Sequence, residues 1–240
     1  MKDYDVTDIL AKVRDIIGMN LADTQLTADL QQDTLSLDDT IRESIVPAAQ
    51  LIENAAPIEM LGEGVDAPTD SFGTVSEEAI NTGDTYRVIH GLAPTDFMRL
   101  VAFRMSDWSR SINAPISFVS PRYDMQRSRV EVVRGCPERP VLAMGITSAT
   151  SGTTPRFEWE AYSSKTGSTV KTFAYIPQPS VKNDKISLCP LLLNAVVYAT
   201  AYLTETALGD TNKASLFFAT AKNLAGIADA PQQTTTKEEQ

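Results

Sequence analysis

Few side chains in the sequence could carry chemistry. His90 is the only histidine among 240 residues, and a nucleophile–histidine–carboxylate set would need an activated serine beside it. No serine lies in the Gly-x-Ser-x-Gly elbow that exposes such a nucleophile. Because His90 follows strand-type residues and precedes Gly91, we predict an ordinary histidine at the surface or at the end of a strand.

Glu158 and Glu160 form a carboxylate pair whose spacing suggests a reaction. Two positions apart on a strand, they lie on one face, and paired carboxylates carry out glycoside hydrolysis. An alternating strand normally presents such residues to water, so we predict a solvated face. Asp3, Asp5 and Asp8 lack the glycine and closing glutamate of a calcium loop, and no phosphate-binding glycine motif occurs. We therefore predict no catalytic residue, no metal site and no cofactor.

Composition and charge argue against further classes of function. A net charge of −10 and a pI near 4.6 disfavour a broad nucleic-acid surface, which needs clustered Lys and Arg. Two cysteines without C-x-x-C spacing predict buried, free thiols, with a long-range disulfide as the alternative. The first residues hold no apolar signal-peptide core. Polar residues interrupt the apolar segment 188–208, so we predict a buried helix there rather than a membrane span.

Charge divides the chain into an acidic and a basic part. Residues 1–84 hold 18 acidic and 4 basic residues, a net of −14, whereas residues 85–228 hold 10 and 16, a net of +6. The last twelve residues add −2. Opposite charges attract across interfaces, so we predict that the two parts meet, within a subunit or between neighbours. The alternative is an ordinary solvated acidic face.

Arginines are concentrated between residues 99 and 139, where eight of them occur. The arginine fork binds carboxylates in a bidentate manner, which suits interface ion pairs. The alternative is that these arginines are merely solvated. The predicted subunit-interface residues are Arg99, Arg104, Arg122, Arg127 and Arg129 on the basic side, and Asp38, Asp39 and Glu43 on the acidic side.

Apolar periodicity predicts helices at both ends of the chain. Spacings of three and four predict a helix from residue 6 to a stop at Gly18, and a second helix over 37–54. Pro47 lies inside that second span, so we expect a kink there or a start displaced toward Val46. Near the C-terminus, one apolar stripe runs from residue 188 to a stop at Gly209. Asp210 then caps a last helix.

The middle of the chain reads as strands and turns. Alternating or β-branched segments separated by turn residues predict an antiparallel sandwich or curled sheet. The predicted strands are 75–80, 86–92, 97–105, 129–133, 141–146, 157–162 and 170–176.

These elements predict an α+β chain in which a helical bundle carries an inserted, antiparallel β-sandwich-like domain. The helical pairs at the two ends must pack on each other, because neither buries its stripe alone. The predicted parts are an N-terminal helical segment (1–69), the β-domain (70–180), a C-terminal helical hairpin (181–228) and a polar, flexible tail (229–240).

The C-terminal hairpin has a characteristic order of residues. These are Leu191-Leu192-Leu193, Ala195, Tyr198, Ala201, Leu208-Gly209-Asp210, Lys213-Ala214, Phe217, Ala221 and Leu224. This hairpin resembles that of head–tail connector proteins of tailed bacteriophages. In that family, a helix of small and apolar residues ends in an acidic corner, and a second helix carries a Lys-Ala pair, an aromatic residue and a run of Ala and Leu.

A second stretch extends the resemblance into the β-region. The segment LAPTDFMRL at 92–100 is similar to the Pro-x-Asp-Phe-x-Arg-Leu stretch of adaptors of the tail-tubular type. A β-insertion between helices also resembles that podovirus subgroup, including the neck ring proteins of crAss-like phages. Residues 1–84 carry no such likeness.

The resemblance implies a structural subunit of the virion neck. Such proteins form a homo-oligomeric ring, usually twelvefold, below the portal protein; they contact other neck or tail proteins, and DNA passes through without sequence-specific binding. The family's use of terminal segments makes Gln232, Gln233, Thr234, Thr235 and Thr236 candidates for docking on a partner. The implied location is the virion, after synthesis in the host cytoplasm, with no membrane partner and no enzymatic activity.

Two other classes of function remain open from the sequence. A β-sandwich binding module, for carbohydrate or for another virion protein, would expose an aromatic cluster, and its candidates are Trp108, Trp159, Tyr123 and Tyr162. A hydrolase would use His90 or the Glu158/Glu160 pair.

Overall fold

The computed structural model describes residues 1–18, 30–72, 75–80, 86–128, 130, 132–146 and 156–228. Helices and strands are both abundant, which confirms the predicted α+β class. The chain divides into two compact units. Met1–Gly62 and Pro179–Gln240 together form the first, here called the helical unit, and Glu63–Gln178 forms the second, here called the inserted unit.

The elements follow the chain in a simple order. They are β1 (Lys2–Asp5), α1 (Val6–Ile17), α2 (Leu30–Ala55), α3 (Ile58–Leu61), β2 (Val65–Asp66), β3 (Ser76–Ala79), β4 (Tyr86–Leu92), β5 (Phe97–Met105), β6 (Ile116–Ser117), α4 (Pro121–Gln126), β7 (Val141–Ile146), β8 (Phe157–Lys165), β9 (Val170–Pro177), β10 (Val181–Lys182), β11 (Lys185–Leu188), α5 (Leu193–Leu208) and α6 (Thr211–Leu224).

The N-terminal helices confirm the apolar periodicity and correct one boundary. Helix α1 buries Val6, Ile9 and Val13 and ends at Gly18, whose φ of 75° is the left-handed conformation that glycine adopts freely. Helix α2 begins at Leu30, earlier than predicted, and continues through Pro47. The predicted alternative of a start near Val46 is therefore wrong. Pro47 removes one backbone donor, but the stripe around it is buried at Ile41, Ile45, Ala48, Ala49 and Ile52.

The C-terminal hairpin forms as predicted, apart from the start of its apolar stripe. Gly209, with φ 88°, ends α5, and the Asp210 carboxylate accepts a hydrogen bond from the Lys213 amide at 3.1 Å. Helix α5 packs against α1, α2 and α6. Leu188 lies on strand β11 instead of the helix, and Leu191 is 64% exposed. The predicted stripe is therefore wrong at these two leucines.

The helical unit also holds a small sheet that the sequence did not predict. Strand β11 lies between β1 and β10 and is antiparallel to both, with Lys2 opposite Leu188 and Val181 opposite Ile186. Strand β1 has the sequence KDYD, which has none of the β-branched residues that mark strands. Its pairing depends on a partner about 180 residues away, which local pattern cannot reveal.

The segment Pro190–Leu208 meets the length and hydropathy of a membrane-crossing helix, but half of its apolar window is buried inside the protein. Core helices meet the same criteria, and this one contacts three other helices.

A buried carboxyl group joins the two chain ends within the helical unit. Glu53 on α2 is fully buried, and its Oε1 accepts a hydrogen bond from the Cys189 amide at 2.8 Å. The Cys189 thiol donates to the Leu61 carbonyl at 3.3 Å. Both cysteines are free, as predicted, but only Cys189 is buried; the prediction of a buried thiol is wrong for Cys136, which is half-buried. Burial raises the pKa of Glu53, and burial, aided by Glu53, raises the pKa of Cys189 to about 12.

This carboxyl group should make stability depend on pH. Because its pKa is raised in the folded state, its contribution is fully present below the ordinary value of 4.5 and is lost as pH rises through the folded pKa. The free energy of unfolding should therefore fall as pH rises above about 4.5. Glu53→Gln keeps an acceptor for the Cys189 amide without a charge, so urea unfolding should show a smaller fall. The exposed control Glu59→Gln should behave like the wild type, and an equal fall in Glu53→Gln would contradict this assignment.

The inserted unit contains two sheets that share an aromatic core. One sheet has the order β2-β9-β5 and the other β3-β4-β8-β7-β6; all pairs are antiparallel except β6 and β7. Their common core includes Leu100, Phe103, Phe173, Trp159 and Leu142. The predicted strand at 129–133 is wrong in its described part, because residues 132 and 133 form a turn.

Candidate functional site

Polar and aromatic side chains gather on the second face of the five-stranded sheet. Alternation along β8 sends Trp159 and Ala161 into the core, so that Glu158, Glu160 and Tyr162 belong to the opposite face. His90 on β4 lies directly across from Glu160 in the strand pairing. We call His90, Glu158 and Glu160 the histidine–glutamate cluster.

Among the three residues of this cluster, Glu160 is the most buried, and its carboxylate has several polar contacts. Its side chain is nearly buried, at 7% residue exposure. The Tyr162 hydroxyl donates to Oε2 at 2.5 Å, and the Tyr123 hydroxyl donates to Oε1 at 3.2 Å. The Arg127 guanidinium lies 3.8 Å from Oε1 and also donates to the Tyr123 hydroxyl at 3.3 Å. The carboxylate orientation is therefore fixed by two hydroxyl donors and a cation.

The tyrosine beneath Glu160 remains a donor across the ordinary pH range. Burial and the hydrogen bond to Glu160 raise the pKa of Tyr162 well above its usual value. The hydrogen bond to Tyr123 raises the pKa of Arg127, which is charged in any case. Near neutral pH, Tyr162 therefore keeps its hydroxyl proton and Arg127 keeps its positive charge.

The short helix α4 brings Tyr123 and Arg127 to the sheet. The Ser120 hydroxyl accepts a hydrogen bond from the Arg122 amide at 3.3 Å, and Pro121 occupies the first helical turn, where its missing donor costs nothing. At the other end, Gln126 Oε1 accepts from the Gly135 amide at 2.8 Å. The sequence analysis missed this helix, although Ser-Pro followed by an aspartate is a helix-start signal.

The histidine–glutamate cluster corrects two predictions. His90 lies inside strand β4, so the strand-end alternative is wrong, and its side chain is half-buried rather than fully exposed at the surface. The predicted solvated face is wrong at Glu160, which is buried, and Glu158 is half-buried. One ligand atom from each of the three residues lies within 4.8 Å of the other two. His90 is far from the two glutamates in the sequence, and the pairing of β4 with β8 places it beside them.

Asp38, Arg104 and Arg127, which are among the predicted interface residues, form contacts within their own chain. The Asp38 carboxylate on α2 lies 2.5 Å from the Arg14 guanidinium on α1. Arg104 Nε donates to the Trp108 carbonyl at 3.1 Å, and Arg127 belongs to the Glu160 network. These side chains already have structural roles, which makes them weaker candidates for a contact between subunits.

The other predicted interface residues are divided between exposed and half-buried positions. Asp39 and Glu43 are exposed and lie one turn apart on α2, and Arg122 is exposed on α4. Arg99 on β5 is half-buried. Arg129 and the docking candidates Gln232, Gln233, Thr234, Thr235 and Thr236 lie outside the described residues.

The two structural units carry charge differently from the two predicted parts. The helical unit contains nine basic and eighteen acidic residues, a net of −9, and the inserted unit contains twelve and thirteen, a net of −1. The acidic stretch 63–84 belongs to the same unit as the arginines, so the basic part does not form a positively charged unit. The charge difference is between an acidic and a nearly neutral unit.

The aromatic residues proposed for a carbohydrate module are mostly internal. Trp108, Trp159 and Tyr162 are at most 1% exposed, and only Tyr123 of the four is half-buried. Sugar stacking needs an accessible ring face, so three of these four aromatic candidates are excluded.

Several large apolar side chains are exposed on the C-terminal hairpin. Leu208 at the end of α5 is 51% exposed, and Leu216 and Leu224 on α6 are 65% and 41% exposed. Phe217, the aromatic residue of the hairpin resemblance, is half-buried beside Tyr198, with the ring centroids 6.3 Å apart. The hairpin therefore presents an apolar surface as well as a core-facing one.

No protein-family model matches the chain, and no curated protein shows significant sequence similarity to it.

Proposed function

We propose that the chain is a structural virion protein, a head–tail connector subunit that links a portal to a tail and lines the DNA channel. The observation that carries this proposal is the chain plan. Segments from both ends make the helical unit, the inserted unit interrupts them, and a two-helix hairpin with a Gly-Asp corner closes the chain. That plan agrees with the resemblance of the hairpin and of 92–100 to connectors and tail-tubular adaptors.

The architecture proposed for the two units is correspondingly specific. The helical unit would be a bundle around α5, which contacts α1, α2 and α6. The inserted unit would be a β-sandwich, since residues of both its sheets line one core. Rigid units of this kind suit a subunit that must keep its shape while DNA moves past it.

The exposed leucines of the hairpin supply a reason for self-association. Leu208, Leu216 and Leu224 are large apolar side chains exposed on the two helices of the hairpin, and exposed apolar surface commonly marks contacts between proteins. A ring requires a head-to-tail interface in which two different surfaces of the chain meet and the rotation closes. The hairpin of one copy would provide one of these surfaces, and a different surface of the neighbouring copy would provide the other.

Charge supports both the ring and the channel. Asp39 and Glu43 on one copy would face Arg122 on the next, because all three side chains are exposed. The net charge of −9 on the helical unit would repel DNA phosphates and prevent sticking, without any sequence-specific contact. The portal protein and other neck or tail proteins would be the remaining partners, and the terminal segment 229–240 would dock on one of them.

A charge-supported ring should weaken in salt. The Debye length falls from about 10 Å at 0.1 M to about 3 Å at 1 M, so exposed ion pairs are screened. Sedimentation of the purified protein should show a large assembly at the lower salt and smaller species at the higher. Asp39→Lys with Glu43→Lys should dissociate the assembly at low salt, and adding Arg122→Glu should restore it.

The matched control is Asp3→Lys with Glu59→Lys, an equal change of charge at two exposed positions of the same unit, which should leave the assembly intact. Equal sedimentation at both salts and in every variant would show that the contact between copies is not formed by these charges.

A further inference from the structure

We propose that His90, Glu158 and Glu160 form a binding site for a divalent transition-metal ion, with Zn²⁺ as the preferred occupant. One ligand atom from each residue lies within 4.8 Å of the other two. An imidazole nitrogen and two carboxylate oxygens are a mixed set that suits Zn²⁺, whereas Mg²⁺ and Ca²⁺ prefer oxygen ligands alone. Three protein ligands leave further coordination positions for water.

The backbone fixes the three side chains at suitable positions. His90 and Glu160 are opposite residues in the antiparallel pair of β4 and β8, which places their Cβ atoms about 5 Å apart. Glu158 and Glu160 are two residues apart on β8 and project from the same face. Sites on strands are more precise than sites on loops, so small side-chain rotations suffice to bring the three donors to one ion.

Glu160 has the surroundings of a prepared ligand. Metal-binding carboxylates are usually hydrogen-bonded by outer groups that orient them, and here the Tyr162 and Tyr123 hydroxyls do so at 2.5 Å and 3.2 Å. A carboxylate has about four lone-pair positions. The two hydroxyl donors occupy two of these positions, and the remaining lone pairs can coordinate a cation.

Charge in the cluster favours an added cation. Two carboxylates lie close together at a partly buried place, and like charges at this range repel. Arg127, whose guanidinium is 3.8 Å from Glu160 Oε1 and whose side chain is 54% exposed, compensates one of the two carboxylates. A divalent ion between His90, Glu158 and Glu160 would compensate the other. His90 and Glu158 are half-buried, so solvent reaches two of the three ligands.

The metal would tie β4 to β8 across the outer face of the inserted unit. All three ligands belong to that unit, so binding does not require assembly of a ring. Failure of the connector proposal would therefore leave this one standing, and the reverse also holds.

The single histidine permits a direct test. The full-length protein, purified without a histidine tag, gives only one set of imidazole signals in an NMR spectrum. Titration with ZnCl₂ should shift or broaden those signals and saturate at one ion per chain. A parallel titration with Co²⁺ should give visible d–d absorption from nitrogen and oxygen ligands. Excess Mg²⁺ should not reverse either change.

Variants separate this site from weak binding at surface acids. Glu158→Gln should lower Zn²⁺ affinity by more than about tenfold, and Tyr123→Phe, which removes an orienting donor, by about tenfold. Glu78→Gln is the matched control. Glu78 is on the neighbouring strand β3, opposite Val88 of β4, and lies outside the cluster. The Zn²⁺ affinity of this variant should equal that of the wild type. Circular dichroism confirms that each variant is folded.

Three results would overturn the proposal. They are unchanged imidazole signals at stoichiometric Zn²⁺, equal affinity in Glu158→Gln and Glu78→Gln, and complete displacement of Zn²⁺ by Mg²⁺.

Discussion

Leu192→Ala should lower the free energy of unfolding by about 2–5 kcal/mol, the usual cost of removing a fully buried leucine side chain. Leu192 has no exposed surface and lies in the 3-10 turn Pro190–Leu192 that leads into α5. This turn contacts both α3 and α5, so a cavity here would weaken the contact between chain segments far apart in sequence. Urea unfolding followed by circular dichroism measures the loss.

The neighbouring leucine supplies the matched control. Leu191 lies in the same turn, carries the same side chain and is 64% exposed. Leu191→Ala should change the free energy of unfolding by no more than about 0.5 kcal/mol, as is usual for surface positions. Similar losses in the two variants would contradict the assignment of Leu192 as buried and Leu191 as exposed.

Trp159→Ala should be the more damaging of the two core substitutions, at about 3–5 kcal/mol. Trp159 is fully buried, with ring centroids 5.1 Å from Phe103 and 6.1 Å from Phe72. Its indole N–H donates to the Leu92 carbonyl at 3.2 Å. A Cβ at Gly91 would lie 2.7 Å from the indole, so the sheet is shaped around this ring.

The loss in Trp159→Ala should be measured by circular dichroism, since the substitution also removes one of the two tryptophan fluorophores. Ile146→Ala on the neighbouring strand β7 is the control. Ile146 is 62% exposed, and its truncation should cost less than about 0.5 kcal/mol. A loss below about 1 kcal/mol in Trp159→Ala would mean that the ring is not central to the core of the inserted unit.

The sequence predicts those elements whose signals are local. Apolar spacing gives α1, and glycine followed by a capping aspartate gives the corner between α5 and α6, because stop and cap act within a few residues. Strand β1 has no such local signal. It forms because it pairs with β11, which lies near the other end of the chain. Pro47 disfavoured a long α2, but the buried residues on both sides of it outweigh one missing backbone donor.

The candidate site illustrates the same limit. The i, i+2 spacing placed Glu158 and Glu160 on one face, but their solvation depended on what covers that face. Helix α4 covers it with Tyr123, and the strand register adds His90. The division of charge at residue 84 wrongly predicted a separate basic part for a related reason. The acidic stretch 63–84 belongs to the same unit as the arginines. Register and unit boundaries are tertiary properties that composition does not contain.

The proposal that this chain is a connector subunit is tested most directly by imaging the purified protein. Negative-stain images at about 0.1 M salt, together with native mass spectrometry, report both shape and copy number. The connector proposal predicts closed rings with a central opening, and a mass that is a whole multiple of 26.1 kDa. Monomers at every protein concentration, or open filaments from an interface that does not close, would contradict it.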